Sequence, residues 1–211
     1  MQRSLKKSIR RRLVDPGKIV IAIGGLHGTG KSTYAKILAR DLRLRHVSAG
    51  QLFREIAEER DLSLENLNEL ARSDPSLDQY VDKRTREEAA KNGVIIDGQL
   101  AAVMAGDTAD LRILITAPEK TRMERISRRD SISLAEASER TLQRERAEHE
   151  RYQKYYGIDV ADVSIYDVIV DSGSTTIEET TKILKSVVED YIAEQFGDEQ
   201  ECQRLRSEES A

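Results

Sequence analysis

Several residue types that mark whole classes of protein are scarce or missing in this sequence. Its 211 residues include no tryptophan, only 4% aromatic residues and one cysteine, Cys202. A lone cysteine cannot form an internal disulfide, so a reducing compartment, and hence the cytoplasm, is the simpler expectation. No run of eighteen apolar residues occurs, so no membrane-spanning helix is predicted.

Acidic residues are missing from the first twelve positions, which carry six Lys and Arg residues. Because the net charge of the chain is −4, the rest of the sequence carries −10. The basic arm, residues 1–16, could contact nucleic acid, lie on an anionic surface or resemble an organelle-targeting peptide; it could also be a frayed, solvated terminus. The acidic body argues against a general nucleic-acid binder. Residues 197–211 are expected to form a polar, frayed tail.

Five short aliphatic runs alternate with helical patterns, at 18–25, 44–50, 93–98, 111–117 and 166–172. The first, third and fourth are rich in β-branched residues, as buried parallel strands are. Strands that alternate with helices predict an α/β fold, here a five-stranded parallel sheet with helices on both faces. The chain is long enough for one domain with a substantial core, and we expect that domain to span 17–196.

Local signals indicate where several helices begin and end. Ser63 and Asp74 are expected to be N-caps, and Pro75 to occupy the first helical position of the second of these helices. Gly93 is expected to terminate that helix. The sequence SLAE at 133–136 is typical of a capping box, and residues 176–196 have the spacing of an amphipathic last helix.

A glycine-rich stretch, IGGLHGTGKST at 23–33, follows the first aliphatic run and precedes a helical pattern. It fits G-x-x-x-x-G-K-S/T, in which glycines let backbone N–H groups surround phosphates and the helix N-terminus adds positive charge. An incidental lysine in a glycine-rich turn is the alternative. The stretch predicts ATP binding by Gly25, Leu26, His27, Gly28, Thr29, Gly30, Lys31, Ser32 and Thr33, with Lys31 on the β- and γ-phosphates.

Two further positions are candidates for metal and acceptor binding. Asp97 ends the third strand near this loop, where a carboxylate could hold Mg²⁺ through water while the Ser32 hydroxyl binds the ion; an N-cap or turn aspartate is the alternative. Ala49 and Gly50 begin the helix after the second strand, and Arg54 follows one turn later. A helix N-terminus with an arginine suits an anion, although a solvated arginine has the same local pattern.

Arginines recur at helical spacing between residues 122 and 151. Arg122, Arg125 and Arg129 share a face of one helix, and Arg144, Glu148 and Arg151 share a face of the next. Such helices are often only solvated and ion-paired. Guanidinium groups are also suited to the charge that develops on a transferring phosphoryl group. The candidate catalytic residues are therefore Lys31 of the glycine-rich loop and the arginines Arg125, Arg129, Arg144 and Arg151.

These motifs together resemble those of the nucleoside monophosphate kinases, and VSAGQLFRE, IDGQLA and RYQKYYGIDVADVSIYDVIVDS resemble the archaeal-type cytidylate kinases. The resemblance covers residues 18 to about 195. It implies a core, a monophosphate-binding segment near 49–92 and a lid near 129–157. It also implies transfer of the ATP γ-phosphoryl group to CMP or dCMP, with Mg²⁺, by a monomer or weak dimer.

The resemblance also assigns acceptor roles to individual positions. It implies that Arg54 holds the acceptor phosphate, that Arg144 and Arg151 reach phosphate from the lid, and that Glu148 lies at the acceptor nucleoside. The complete set of expected substrate-binding residues is Ala49, Gly50, Arg54, Asp97, Gln99, Arg144, Glu148 and Arg151.

Three positions depart from the family pattern. His27 replaces a frequent proline, Gln51 replaces a frequent aspartate, and Gln99 replaces an arginine that helps bind the acceptor. A neutral amide at 99 loses a charge-assisted contact, so acceptor affinity or identity could differ.

Three functions therefore remain open: a CMP/dCMP kinase, a kinase for another monophosphate or small metabolite, and a P-loop ATPase or regulatory protein that docks on RNA or a partner through its basic arm.

Overall fold

A computed structural model describes the backbone of residues 16–208 and the side chains of residues 17–195. The basic arm therefore lies almost entirely outside the described residues. Five strands form one sheet: β1 (Val20–Gly24), β2 (Arg45–Ser48), β3 (Val94–Asp97), β4 (Leu111–Thr116) and β5 (Val168–Asp171). Their order is β2-β3-β1-β4-β5, and all four neighbouring pairs are parallel. The five predicted strands and their parallel arrangement are confirmed.

Eight helices connect and cover the strands in the described part of the chain: α1 (Lys31–Leu42), α2 (Ala49–Glu59), α3 (Leu64–Ala71), α4 (Pro75–Ala90), α5 (Ala101–Ala105), α6 (Glu119–Asp130), α7 (Leu134–Tyr156) and α8 (Ile177–Glu208). Helices α2 to α4 lie between β2 and β3, and helices α6 and α7 lie between β4 and β5. No described helix has the length and apolarity required to cross a lipid bilayer.

The central strand β1 is buried on both faces because its side chains alternate between two cores. Ile21 and Ile23 pack with α1 and α8, whereas Val20 and Ala22 pack with α4 and α5. All five residues of β1 are buried, as its uninterrupted apolar run predicts. This burial holds the loop after β1 at the carboxyl edge of the sheet.

The two helical insertions have small cores of their own. Phe53, Leu67 and Leu77 join α2, α3 and α4, and Met123 and Ala137 join α6 and α7. Each insertion is thus a compact unit that packs at the same edge of the sheet as the glycine-rich loop, residues 25–33, which is called the P-loop below. Helices α2 to α4 span 49–90, and helices α6 and α7 span 119–156; the monophosphate-binding segment near 49–92 and the lid near 129–157 remain predictions.

Most predicted helix signals are observed. The Ser63, Asp74 and Ser133 side chains accept hydrogen bonds from the backbone N–H groups of Asn66, Ser76 and Glu136, and Pro75 is the first residue of α4.

Two expectations need correction, and one helix was not predicted. Helix α4 ends at Ala90, and Asn92 and Gly93 both adopt positive φ, so the stop is a two-residue turn rather than Gly93 alone. Helix α5 was not anticipated, since its five mostly buried residues show no periodicity. Helix α8 continues beyond residue 196 to Glu208, where Glu, Gln and Arg residues favour helix.

Candidate active site

The P-loop connects β1 to α1 and brings backbone N–H groups to the N-terminus of that helix. Gly28 and Gly30 have φ values of 80° and 90°, which favour glycine. A Cβ at Gly28 would lie 2.6 Å from the carbonyl oxygen of Arg122, so a larger residue would collide with α6. Thr29 is buried, and its hydroxyl donates to the Leu26 carbonyl at 2.9 Å. The loop is therefore held in one shape by its surroundings.

Lys31, at the first position of α1, lies inside this loop. Its Nζ donates to the carbonyl oxygen of Leu26 at 3.2 Å. Burial lowers the pKa of Lys31, and the carboxylates of Asp97 and Glu148 oppose that shift. The half-buried amine thus lies near two acids from different elements.

Asp97, at the end of β3, is buried and has three hydrogen-bond partners. The Ser32 hydroxyl donates to Oδ1 at 2.5 Å, the Ser48 hydroxyl donates to Oδ1 at 3.1 Å, and His46 Nε2 lies 2.7 Å from Oδ2. Ser32 and Asp97, the two residues of the expected metal site, are therefore in direct contact. A hydroxyl and a carboxylate are the oxygen donors that Mg²⁺ prefers, so the residues fit that ion.

His46 and Ser48 were missed from the sequence. Parallel pairing of β2 with β3 brings Ser48 opposite Asp97, and His46 lies two residues earlier on the same strand. The only available signal was the pairing register, which follows from the tertiary arrangement.

The residues of the expected anion site lie in the first two turns of α2. Ser48 caps this helix, Ala49 and Gly50 form its first turn, and Arg54 lies one turn later. Arg54 is exposed, and its Nη2 donates to the side-chain oxygen of Gln51 at 2.9 Å. Gln51, at the position where the family often has an aspartate, therefore holds the guanidinium beside the helix N-terminus through an uncharged acceptor.

Gln99 is the most unusual side chain near the site. Both polar atoms of its amide are buried, and neither has a hydrogen-bond partner among the described residues. The residue lines a cavity of about 350 Å³ together with Leu26 and one face of α7. A buried amide without a partner costs free energy, so it marks a position where a polar ligand group would be stabilising.

Helix α7 contacts the P-loop through Glu148. Arg144 Nε donates to Glu148 Oε1 at 2.7 Å, and His27 Nε2 lies 2.8 Å from Glu148 Oε2. Burial opposes ionisation of Glu148, but His27 and Arg144 outweigh it and lower the pKa of this carboxyl. Burial also lowers the pKa of His27, although Glu148 opposes that shift.

Arg151, one turn further along α7, is buried against the α2–α4 insertion. Its Nε donates to Asp78 on α4 at 2.9 Å, and its Nη1 is buried without a partner among the described residues. Tyr156 also donates to Asp82 on α4. Arg151 thus joins the two insertions, and one of its nitrogens remains available to an anion.

The two predicted arginines of α6 occupy different surroundings. Arg125 donates through Nη1 to Ser172 Oγ at 3.0 Å and through Nη2 to the Ser172 carbonyl at 2.6 Å, which supports the P-loop from the side of β5. Arg129 is exposed, pairs with Asp130 and lines a cavity of about 490 Å³ between α3 and the α6–α7 insertion. His27 and Arg144 line the same cavity.

Comparison with known proteins shows which family this sequence is similar to. The sequence profile of the cytidylate kinase-like family matches residues 20–174. A cytidylate kinase from Staphylothermus marinus is 43% identical over 176 residues, covering 83% of this chain and 99% of the relative. One from Ignicoccus hospitalis is 45% identical over 166 residues, covering 77% and 96%.

Solved structures agree in fold at lower sequence identity. An uncharacterized protein from Eubacterium ventriosum has a TM-score of 0.62 at 19% identity, covering 82% of this chain and 99% of that structure. A shikimate kinase from Bacteroides thetaiotaomicron has a TM-score of 0.55 at 17% identity, covering 81% and 98%. The sheet order and the P-loop are thus those of a P-loop kinase fold. On the strength of the sequence profile and these relatives, the chain belongs to the cytidylate kinase-like family.

Proposed function

We propose that this protein transfers the γ-phosphoryl group of ATP to CMP or dCMP, giving ADP and CDP or dCDP. The observation that carries the proposal is the cluster of Lys31, Ser32 and Asp97 at the carboxyl edge of β1 and β3. A relative at 43% identity over most of the chain supports the same chemistry.

The reaction needs no covalent intermediate on the protein. The P-loop N–H groups and Lys31 would bind and orient the β- and γ-phosphates, so that the γ-phosphorus faces the acceptor. An oxygen of the acceptor phosphate forms the new bond to that phosphorus as the bond to the β-phosphate oxygen breaks. Lys31, Arg144 and Arg151 would stabilise the negative charge during transfer, and α7 would exclude water. We assign Arg125 a supporting role behind the loop.

Ser32 and Asp97 would hold Mg²⁺. The ion would neutralise charge on the phosphates when bound.

The acceptor would lie between the α2–α4 insertion and α7. Arg54 and the N-terminus of α2, Ala49 and Gly50, would bind its phosphate, and Glu148 would lie at its nucleoside. Gln99 offers both a donor and an acceptor in place of a cation, and either could pair with an edge of a pyrimidine. Acceptor choice is thus the part of the proposal that depends most on this chain's own residues.

An assay of ADP release with CMP, dCMP, UMP, AMP and dTMP, each supplied alone with ATP, tests the proposal. We expect CMP and dCMP to give the highest kcat/KM. Preference for another monophosphate would identify a kinase of different specificity. ATP hydrolysis that no monophosphate alters would contradict the kinase proposal.

Replacement of Lys31 by alanine tests the P-loop. We expect kcat to fall at least about 100-fold, because the variant loses a desolvated positive charge aimed at the phosphates. Lys36→Ala is the matched control, since Lys36 is exposed on the same helix. Full activity in Lys31→Ala would remove this lysine from the mechanism.

A further inference from the structure

His27, a residue of the P-loop, contacts the α6–α7 insertion through its ring and through its backbone. Its ring Nε2 lies 2.8 Å from Glu148 Oε2, and its backbone N–H donates to Glu145 Oε1 at 3.2 Å. Its carbonyl oxygen accepts from Arg122 Nη1 at 2.9 Å. The same Arg122 nitrogen donates to Glu145 at 2.6 Å. One P-loop residue is therefore bonded to both helices of the insertion.

The ring contact determines the direction of the Glu148 carboxylate. An ionised carboxylate can only accept hydrogen bonds, so His27 Nε2 must carry the hydrogen in this pair. His27 and Arg144 occupy one oxygen each, and the Glu148 side chain is only 4% exposed. A carboxylate held at both oxygens in a buried site cannot rotate freely. Its remaining lone pairs keep one orientation, and Arg144 is held with it.

We propose that His27 is a positioning residue that couples ATP binding in the P-loop to acceptor binding under the lid. The inference rests on the proposed function, because it assumes that the acceptor contacts Glu148 or Arg144. A triphosphate bound to the loop backbone would restrict the motion of His27 further, and through it that of the Glu148 carboxylate and the Arg144 guanidinium. The acceptor then binds to groups whose orientation has already been restricted, so the two substrates bind with positive cooperativity.

Isothermal titration calorimetry with CMP, in the presence and absence of a non-hydrolysable ATP analogue, measures this coupling without turnover. We expect the analogue to tighten CMP binding at least about fivefold in the wild-type protein, and CMP to tighten analogue binding by the same factor. In His27→Ala the factor should fall close to one. His27→Gln keeps a side-chain N–H donor and should retain part of the coupling.

Two further variants separate positioning from a general structural effect. Gln153→Ala changes an exposed side chain of α7 and should leave the coupling factor at its wild-type value. In a Glu148→Ala background, His27→Ala should cause no additional loss of coupling, since the residue through which it acts is absent.

Amide hydrogen exchange over residues 140–152 gives a readout without either substrate. Exchange in this stretch should be faster in His27→Ala than in Gln153→Ala, because the bond that fixes Glu148 to the loop is lost.

The outcomes distinguish the two proposals. Absence of CMP binding to the wild-type protein would contradict the proposed function. CMP binding with a coupling factor near one in the wild type, or with the same factor in His27→Ala, would overturn the inference about His27 and leave the kinase proposal intact. A further loss of coupling on adding His27→Ala to Glu148→Ala would also overturn it.

Discussion

Arg54 and Arg151 carry similar expectations about phosphate binding, yet their surroundings differ greatly. Arg54 is exposed and donates to the neutral amide of Gln51, whereas Arg151 is buried and paired with Asp78. Removal of Arg151 would leave a buried carboxylate unpaired, so its effect on activity would be mixed with an effect on stability. Arg54 is therefore the better residue on which to test the acceptor site.

Replacement of Arg54 by alanine should raise the KM for the acceptor about 10- to 100-fold, because a charge-assisted contact to phosphate is lost. The KM for ATP should change little. Arg60→Ala is the matched control, since Arg60 is an exposed arginine at the other end of the same helix. Steady-state kinetics with each substrate varied in turn measures the difference. Equal increases in both KM values would show that Arg54 does not belong to the monophosphate site.

Helix α7 is attached to the α2–α4 insertion by polar contacts that include a perturbed carboxyl. Tyr156 donates to Asp82, and Tyr155 donates to the Arg72 carbonyl at 2.8 Å. Burial raises the pKa of Asp82 to about 6, with a smaller contribution from Asp78 in the same direction and an opposing one from Tyr156. Contact between the two insertions is thus sensitive to the protonation of one buried acid.

The raised pKa of Asp82 predicts how stability varies with pH. The folded protein holds this proton more tightly than the unfolded chain, so the free energy of unfolding falls as pH rises from about 4 to about 6. Asp82→Asn removes this dependence. Between pH 4 and pH 8, the free energy of unfolding of the variant should rise by up to about 3 kcal/mol relative to that of wild type.

Urea unfolding of Asp82→Asn and wild type at both pH values measures this gain. Asp107→Asn, which changes an exposed carboxyl, serves as the control. A constant stability difference between Asp82→Asn and wild type across this range would mean that Asp82 titrates at its ordinary pKa.

Helix α8 covers one face of the sheet through a narrow apolar stripe. Leu184 and Val188 are fully buried against α1 and the strands, whereas the adjacent Ile183 is 44% exposed. Leu184 and Ile183 offer a test of how the helix is packed, since their side chains are of similar size and lie on different faces of α8.

Leu184→Ala should lower the free energy of unfolding by about 2–5 kcal/mol, because it removes buried methyl groups and leaves a cavity. Ile183→Ala should cost less than about 1 kcal/mol, since that side chain remains largely in water. Chemical denaturation of both variants gives the comparison. Equal losses would contradict the orientation of α8 on the sheet.

At the scale of the whole molecule, the kinase domain and the basic arm are expected to be separable. The family profile begins at residue 20, after the arm. Deletion of residues 1–15 should leave kcat and acceptor KM within about twofold of the full-length values. In a second, full-length variant, the six basic residues of the arm are replaced by glutamine. Comparison with the deletion shows whether an effect on activity comes from lost charge or from the shorter chain. A large loss of transfer activity in both variants would assign the arm a part in the reaction.

RNA affinity that falls steeply with salt and disappears in both arm variants would support a docking role for the arm. The loss of positive charge, which the two variants share, would then explain the effect. Binding that persists without the arm would place any RNA contact elsewhere on the protein.

The parts of the molecule that were predicted correctly depend on neighbours in the chain. The five strands follow from short aliphatic runs, and the starts of α3, α4 and α7 follow from the capping side chains of Ser63, Asp74 and Ser133. The loop from Gly25 to Lys31 was identifiable because its glycines, its lysine and its flanking elements are contiguous. Helix α5 was missed because five buried residues carry no periodic signal.

The amino-acid sequence alone determined the strands, the phosphate-binding loop and the family to which the chain belongs, since these depend on residues within a few positions of one another. The tertiary structure decided which side chains meet across the site. His46 joins Asp97 from 51 residues away, and His27 joins Glu148 from 121 residues away. The Gln99 amide likewise lies beside a cavity that α7 helps to line, without a partner among the described residues. Pairing register and helix packing bring such residues together, and no local pattern encodes either of them.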